Sequence, residues 1–329
     1  MNELTAGAAS HQPYPVLTPY ESGMLDVGDG HEIYWEVCGN PQGRPALFVH
    51  GGPGGGCSPE HRRLFDPSIY RIILFDQRGC GRSRPTALLT ANTTQHLLAD
   101  MERLRVMLGV ERWLLLGGSW GATLALLYAQ TYPQHVSAMV LRGVFTARLS
   151  EVNWLYQHGA SVLFPEGWEK FIAPIPEAER NTMVAAYHKR LTCGDLPQEM
   201  EAARTWCNWE AELMTLLPRN RGGMTSVFSP HTRALAQIEA HYFIHDSFIA
   251  EGQILNNVHL LDTIPAIIVQ GRYDVVTPPT TAYALHRAWP NSRLDIVPDA
   301  GHATGEPGTT RRLIAATDEL AIRAQWSRA

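Results

Sequence analysis

With 329 residues, 45% of them apolar and 18% charged, the chain can bury a substantial core, and its length suggests about two domains. A net charge of −5 leaves no basic footprint for nucleic acid or an anionic membrane, and no apolar run reaches the ~20 residues that a bilayer crossing requires. The five cysteines (Cys38, Cys57, Cys80, Cys193, Cys207) form no C-x-x-C pair and the N-terminus has no signal-like apolar stretch, so free thiols in the cytoplasm are expected.

Residues 1–20 are polar and proline-bearing and read as an extended arm. Met24 to Val27 and Glu32 to Val37 flank Gly28-Asp29-Gly30, a hairpin whose turn draws on glycine for positive φ. Ala46 to Val49 is a short, wholly apolar run, the pattern of a strand buried on both faces, and it opens into His50-Gly51-Gly52-Pro53-Gly54-Gly55-Gly56. That loop lacks the Gly-Lys-Ser/Thr ending of a phosphate-binding P-loop and opens no G-x-G-x-x-G helix. An H-G-G turn after a buried strand is instead one half of an oxyanion hole in serine hydrolases. Ile72 to Phe75 is a second buried strand, followed by the polar turn Asp76 to Ser83. Residues 94–108 carry apolar side chains at helical spacing.

Leu114-Leu115-Leu116-Gly117-Gly118-Ser119-Trp120-Gly121 comes next, an apolar strand ending in G-x-S-x-G and running at once into a helix over Ala122 to Tyr132. Strand, sharp turn and helix in that order make the nucleophile elbow, with Ser119 exposed at the sheet edge. The strand Ala138 to Leu141 follows. From 146 to 246 no buried strand is visible, only amphipathic helical stretches that carry Trp154, Trp168, Trp206 and Trp209, most of them expected in the core of an inserted cap. The α/β rhythm resumes with Ala266 to Val269, a helix near 279–288, the strand Leu294 to Val297 and a closing helix around 309–325. The predicted organisation is therefore a core over 1–145 and 247–329, a mostly parallel sheet flanked by helices, with a helical cap over 146–246.

A serine needs a base, and the base needs an orienting carboxylate. On such a sheet they follow in the order Ser, acid, His, each in a loop after a strand. Asp274 is the first carboxylate past Val269, and of fourteen histidines only His302 lies just beyond the last strand. Ser119, Asp274 and His302 are thus the expected triad, with the backbone N–H groups of Gly52 and Trp120 as oxyanion donors.

These residues resemble the proline iminopeptidases, a family of α/β-hydrolase serine peptidases. The likeness runs through Tyr34 to Pro41, the H-G-G-P-G-G-G loop, Phe75 to Gly81, Asn92 to Thr94, the G-G-S-W-G elbow, Trp206 to Glu210, Gly271 to Asp274 and Ala300 to His302. The resemblance implies an α/β-hydrolase fold, peptide substrates with N-terminal proline, and neither cofactor nor metal. It implies that Glu210 and Glu239 bind the cationic amine, that Phe145 with Trp154 or Tyr156 forms a proline slot, and that Arg142 orients one of the glutamates. An esterase or amidase with the same triad would give those glutamates no cation to bind. A metal site on Glu239, His241 and His245 lacks a recognisable ligand set, and a binding protein on an inactive scaffold would be free to lose the triad. Cys57, just past the oxyanion loop, is weighed equally as a neighbour of the site and as a remote thiol. Oligomeric state has no signature in the sequence.

Overall fold

The computed structural model describes residues 12–218 and 230–323. Eight strands form one sheet: β1 (Glu21–Gly28), β2 (His31–Gly39), β3 (Arg44–Val49), β4 (Tyr70–Phe75), β5 (Trp113–Ser119), β6 (Val136–Val144), β7 (Ala266–Gly271) and β8 (Ser292–Val297). Their order is β1-β2-β4-β3-β5-β6-β7-β8. The β1–β2 and β2–β4 pairs are antiparallel; all pairs from β4–β3 to β7–β8 are parallel. This is the α/β-hydrolase fold.

Alternation along the parallel strands divides the interior in two, because successive side chains leave a strand on opposite faces. Leu47, Val49, Ile73, Phe75, Leu115, Met139, Leu141 and Ile268 face one layer, with helices Thr94–Met107 and Trp120–Thr131. Phe48, Ile72, Leu74, Leu114, Leu116, Val140 and Val269 face the other, where Leu313, Ile314 and Leu320 of helix Pro307–Arg323 close over them. Truncating such a residue to alanine costs about 2–5 kcal/mol.

Of the expected N-terminal arm, residues 1–11 lie outside the described residues. The rest is irregular, and Tyr14 pins it by N–H to the Arg63 carbonyl and by hydroxyl to Asp318. The closing helix starts at Pro307; the expected 324–325 lie outside the described residues. β6 outruns its apolar stretch. Arg142 still pairs with Gly118, and Val144 pairs with Ser119, leaving Gly143 as a one-residue bulge opposite the elbow.

Between β6 and β7 the described chain forms helices alone, principally Leu149–Tyr156, Pro165–Ile172, Met183–Leu191, Leu196–Leu213 and Pro230–Ile244. Their shared interior is aromatic: Phe171 stacks on Tyr187 with centroids 4.6 Å apart, and Tyr156 stacks on Trp206 at 4.2 Å. Trp209 is buried there too, with Trp168 against it.

Candidate active site

Ser119 ends β5 with φ 58° and ψ −127°, a backbone conformation rarely populated by non-glycine residues. Such strain costs about 1–3 kcal/mol and is held by its surroundings. The helix Trp120–Thr131 springs directly from it and drives its first turn against β3: a Cβ on Gly121 would collide with the Val49 carbonyl, so only glycine fits there. Ser119 stays partly exposed, on the wall of a cavity of about 450 Å³.

His302 and Asp274 arrive from the loops after β8 and β7. His302 Nδ1 lies 2.8 Å from Asp274 Oδ2, and both side chains are buried. The same carboxylate accepts from Thr277 N–H (2.8 Å), Thr277 Oγ1 (3.0 Å) and Gln270 Nε2 (3.1 Å). A carboxylate so held fixes the imidazole tautomer, with the proton on Nδ1 and a lone pair on Nε2. Arg142 Nη1 occupies that lone pair at 2.8 Å. Burial lowers the His302 pKa and the Arg142 cation lowers it further, while Asp274 pulls it back up. Arg142 is itself buried, and desolvation draws its pKa down to about 10. The bulged Gly143 has φ +52°, and a Cβ there would stand 2.8 Å from His302 Cε1 and 2.9 Å from Nδ1.

Gly51 and Gly52 line the cavity beside Ser119. A Cβ built on Gly51 would lie 3.4 Å from Ser119 Cβ and 4.0 Å from the Trp120 nitrogen, so the glycine loop abuts the elbow.

Across the cavity stand Glu210, from helix Leu196–Leu213, and Glu239, from helix Pro230–Ile244. The Tyr156 hydroxyl donates to Glu210 Oε1 and the Trp206 indole N–H to Glu239 Oε2 (2.8 Å). The carboxyls interact directly with each other, and burial raises both pKa values. Glu239 stands well above the usual carboxylate range because burial is compounded by the neighbouring Glu210 charge. Phe145 and Phe243 meet edge to face at 6.0 Å on the same wall.

The expectations for Arg142 and Trp154 need correction, and the other candidates take definite positions. Arg142 turns to His302 rather than to a glutamate, because the end of β6 lies between the elbow and β7. Trp154 does not reach the cavity; its indole N–H donates to the Val275 carbonyl at 2.7 Å and its ring lies against Gly159. Tyr156 does line the cavity, but its hydroxyl holds Glu210. Cys57 is off the cavity wall, with Sγ 3.1 Å from the Phe75 carbonyl, whereas Cys207 is on it. The His241 and His245 rings touch, with centroids 4.9 Å apart, but His241 Nε2 faces the Asn92 carbonyl, His245 Nδ1 faces the His241 carbonyl, and Glu239 accepts from the Trp206 indole. Among the described residues no three His, Cys, Asp or Glu side chains gather as a metal site would require. Sequence reasoning missed Gln270, Thr277, Trp206 and Phe243, whose apolar or polar runs carry no signal of the partner they meet.

The chain matches the α/β-hydrolase fold family over residues 45–308. A proline iminopeptidase of Xylella fastidiosa is 50% identical over 309 residues, 93% of this chain and 98% of that protein. One from Arabidopsis thaliana is 47% identical, covering 93% and 81%. Among solved structures, a proline iminopeptidase from Mycobacterium smegmatis superposes with TM-score 0.54 at 22% identity over 92% of this chain and 100% of that one. An esterase from Exiguobacterium antarcticum does so with TM-score 0.57 at 18% identity over 91% and 99%. These last two likenesses concern the fold alone.

Proposed function

The chain belongs to the proline iminopeptidase family of α/β-hydrolases, and from that premise we propose that it releases proline from the free N-terminus of peptides by way of an acyl-enzyme. The observation that carries the mechanism is one cavity lined by Ser119, by His302 with Asp274 buried behind it, and by the two carboxyls of Glu210 and Glu239.

The peptide's terminal amine is a cation, and the glutamate pair is its counter-charge. Two close carboxylates resist simultaneous ionisation, so an incoming ammonium stabilises the doubly ionised state and is held by charge-assisted hydrogen bonds. The proline ring rests against Phe145 and Phe243. The substrate carbonyl carbon then lies over Ser119, whose Oγ attacks while His302 Nε2 takes its proton and Asp274 stabilises the imidazolium. Arg142 must yield Nε2 for this step. The oxyanion is received by the N–H groups of Gly52 and Trp120. Collapse expels the rest of the peptide, its new amine taking the proton from His302, and water repeats the sequence on the prolyl ester.

The helices over residues 146–246 serve as the cap that carries amine recognition, and the sheet on either side serves as the catalytic core. We place the protein in the cytoplasm: its described cysteines are free thiols, and among the described residues no helix is long and apolar enough to cross a membrane. The substrates are peptides, with neither nucleic acid nor membrane among the partners. The test compares a proline amide bearing a free amine with its N-acetylated twin, with Ser119→Ala as the blank. Cleavage of the free form alone is expected; equal cleavage of both would make the protein an esterase or amidase.

A further inference from the structure

Gln77, the second residue after β4, is buried and does not line the cavity, yet its backbone N–H and both ends of its side-chain amide are directed at the two segments flanking Ser119. Its backbone N–H donates to His50 Nε2 (3.0 Å) and its Nε2 donates to the His50 carbonyl (2.9 Å). Its Oε1 accepts the Trp120 indole N–H (3.0 Å). An indole only donates and a carbonyl only accepts, so the two ends of the amide are assigned by their partners.

His50 passes the constraint on. His50 Nδ1 stands 2.9 Å from the Gly51 carbonyl and 3.2 Å from the Gly56 nitrogen. With Nε2 accepting the shorter bond from Gln77, a neutral ring carries its proton on Nδ1 and gives it to the Gly51 carbonyl, which also accepts the Gly55 N–H at 3.0 Å. The Gly51–Gly52 peptide is planar and trans, so holding its C=O on one side aims the Gly52 N–H at the other. At the second segment, the indole clasp fixes the Trp120 ring, and with it the residue whose N–H follows the nucleophile.

We propose that Gln77 is a positioning residue that couples the two halves of the oxyanion hole, setting the separation of the Gly52 and Trp120 N–H groups through His50 on one side and the Trp120 indole on the other. The proposal rests on the reading that those two amides receive the oxyanion formed on Ser119.

The test uses Gln77→Met, which keeps the volume and loses every side-chain hydrogen bond, and Trp120→Phe, which removes the indole N–H. For each, kcat and KM are measured on a proline amide. Inhibition is measured with a boronic acid analogue of proline, whose tetrahedral adduct on Ser119 places an oxygen in the hole, and with free proline, which forms no adduct. Complete loss of one donor costs ~10²–10³ in rate, so misalignment should lower kcat about tenfold or more. Boronate affinity should fall by the same factor, with KM and proline affinity within about twofold of the parent, as for an interaction made only in the transition state. Unchanged kcat in both variants, or a fall in kcat without a matching loss of boronate affinity, overturns the proposal. If Gln77→Met does not fold, Trp120→Phe decides alone. Ser119→Ala run alongside separates the failures. Activity surviving that change defeats the serine mechanism itself, whereas its abolition beside a fully active Gln77→Met defeats the coupling only.

Discussion

Arg142 and His302 are direct partners, with Nη1 of the arginine 2.8 Å from Nε2 of the histidine, the nitrogen proposed to receive the serine proton. The cation thereby lowers the pKa of the base and occupies its lone pair until substrate enters. Replacing it with methionine removes a charge that disfavours the imidazolium, so the His302 pKa should rise and the acid limb of the kcat/KM profile should move to higher pH. Arg142→Lys, which keeps the charge, should restore the limb toward its original position. A profile that Arg142→Met leaves unmoved would show that the arginine does not act on the base.

The same arginine should weigh on stability in the opposite sense. It is buried, desolvation dominates its lowered pKa, and its Nε has no hydrogen-bond partner among the described residues. A buried, incompletely paired charge is commonly improved upon by an apolar side chain of similar size. Arg142→Met is therefore expected to raise Tm by about 2 °C while lowering activity, a trade between stability and function. Paired thermal unfolding and rate measurements check both halves.

For the glutamates, Glu210→Gln and Glu239→Gln should each lower kcat/KM at least about 30-fold on free-amine substrates, chiefly through KM, the scale for truncating a buried charge pair. In the parent enzyme KM should rise as pH falls, because protonation removes the counter-charge. Stability follows the opposite course. Both folded pKa values stand above the unfolded one, so within that window the native state binds more protons than the unfolded chain, and stability falls as pH rises through it. Glu239→Gln should therefore exceed the parent in Tm on the alkaline side and lose that advantage toward acid. Tm followed against pH for both proteins tests the sign.

Gly143→Ala should act on chemistry rather than on binding. The bulge holds φ +52° and leaves no room for a Cβ beside the His302 ring. Displacing a catalytic group by about 1 Å costs about 100-fold, so kcat should fall by that order with KM near the parent value. Steady-state kinetics on the proline amide give both numbers.

Thiol reagents should act through Cys207. It lines the cavity beside the glutamates, while Cys57 is off the wall. Burial and the neighbouring carboxyls raise the Cys207 thiol pKa, so reagents that need a thiolate should be slow. A bulky mercurial should inhibit the parent and Cys57→Ser but spare Cys207→Ser.

Ser119, Asp274 and His302 were legible because each lies just past an apolar strand, and strand ends are what a one-dimensional pattern marks best. Trp154 was not, because helix Leu149–Tyr156 is only eight residues long and its rotation is set by what it packs on. Val152, Leu155 and Tyr156 face the cavity at helical spacing, and Trp154 falls on another side. Arg142 was misdirected for a related reason: its target depends on the bulge at Gly143, and the sequence shows a glycine there without showing what the glycine must clear. The Gln77 clasp reads in sequence as one polar residue of a turn, since its partners lie 27 and 43 positions away.

The carboxyls proposed to bind the amine sit on helices inserted between β6 and β7, while the proposed triad and oxyanion donors sit on the sheet edge or the loops leading from it. Selectivity and bond cleavage are thus written in separate lengths of chain, the former in one uninterrupted block. A lineage, or an engineer, could rewrite that block wholesale and inherit a working acyl-transfer apparatus, so new substrates would be reached by exchanging a passage of sequence rather than by adjusting the residues that break the bond.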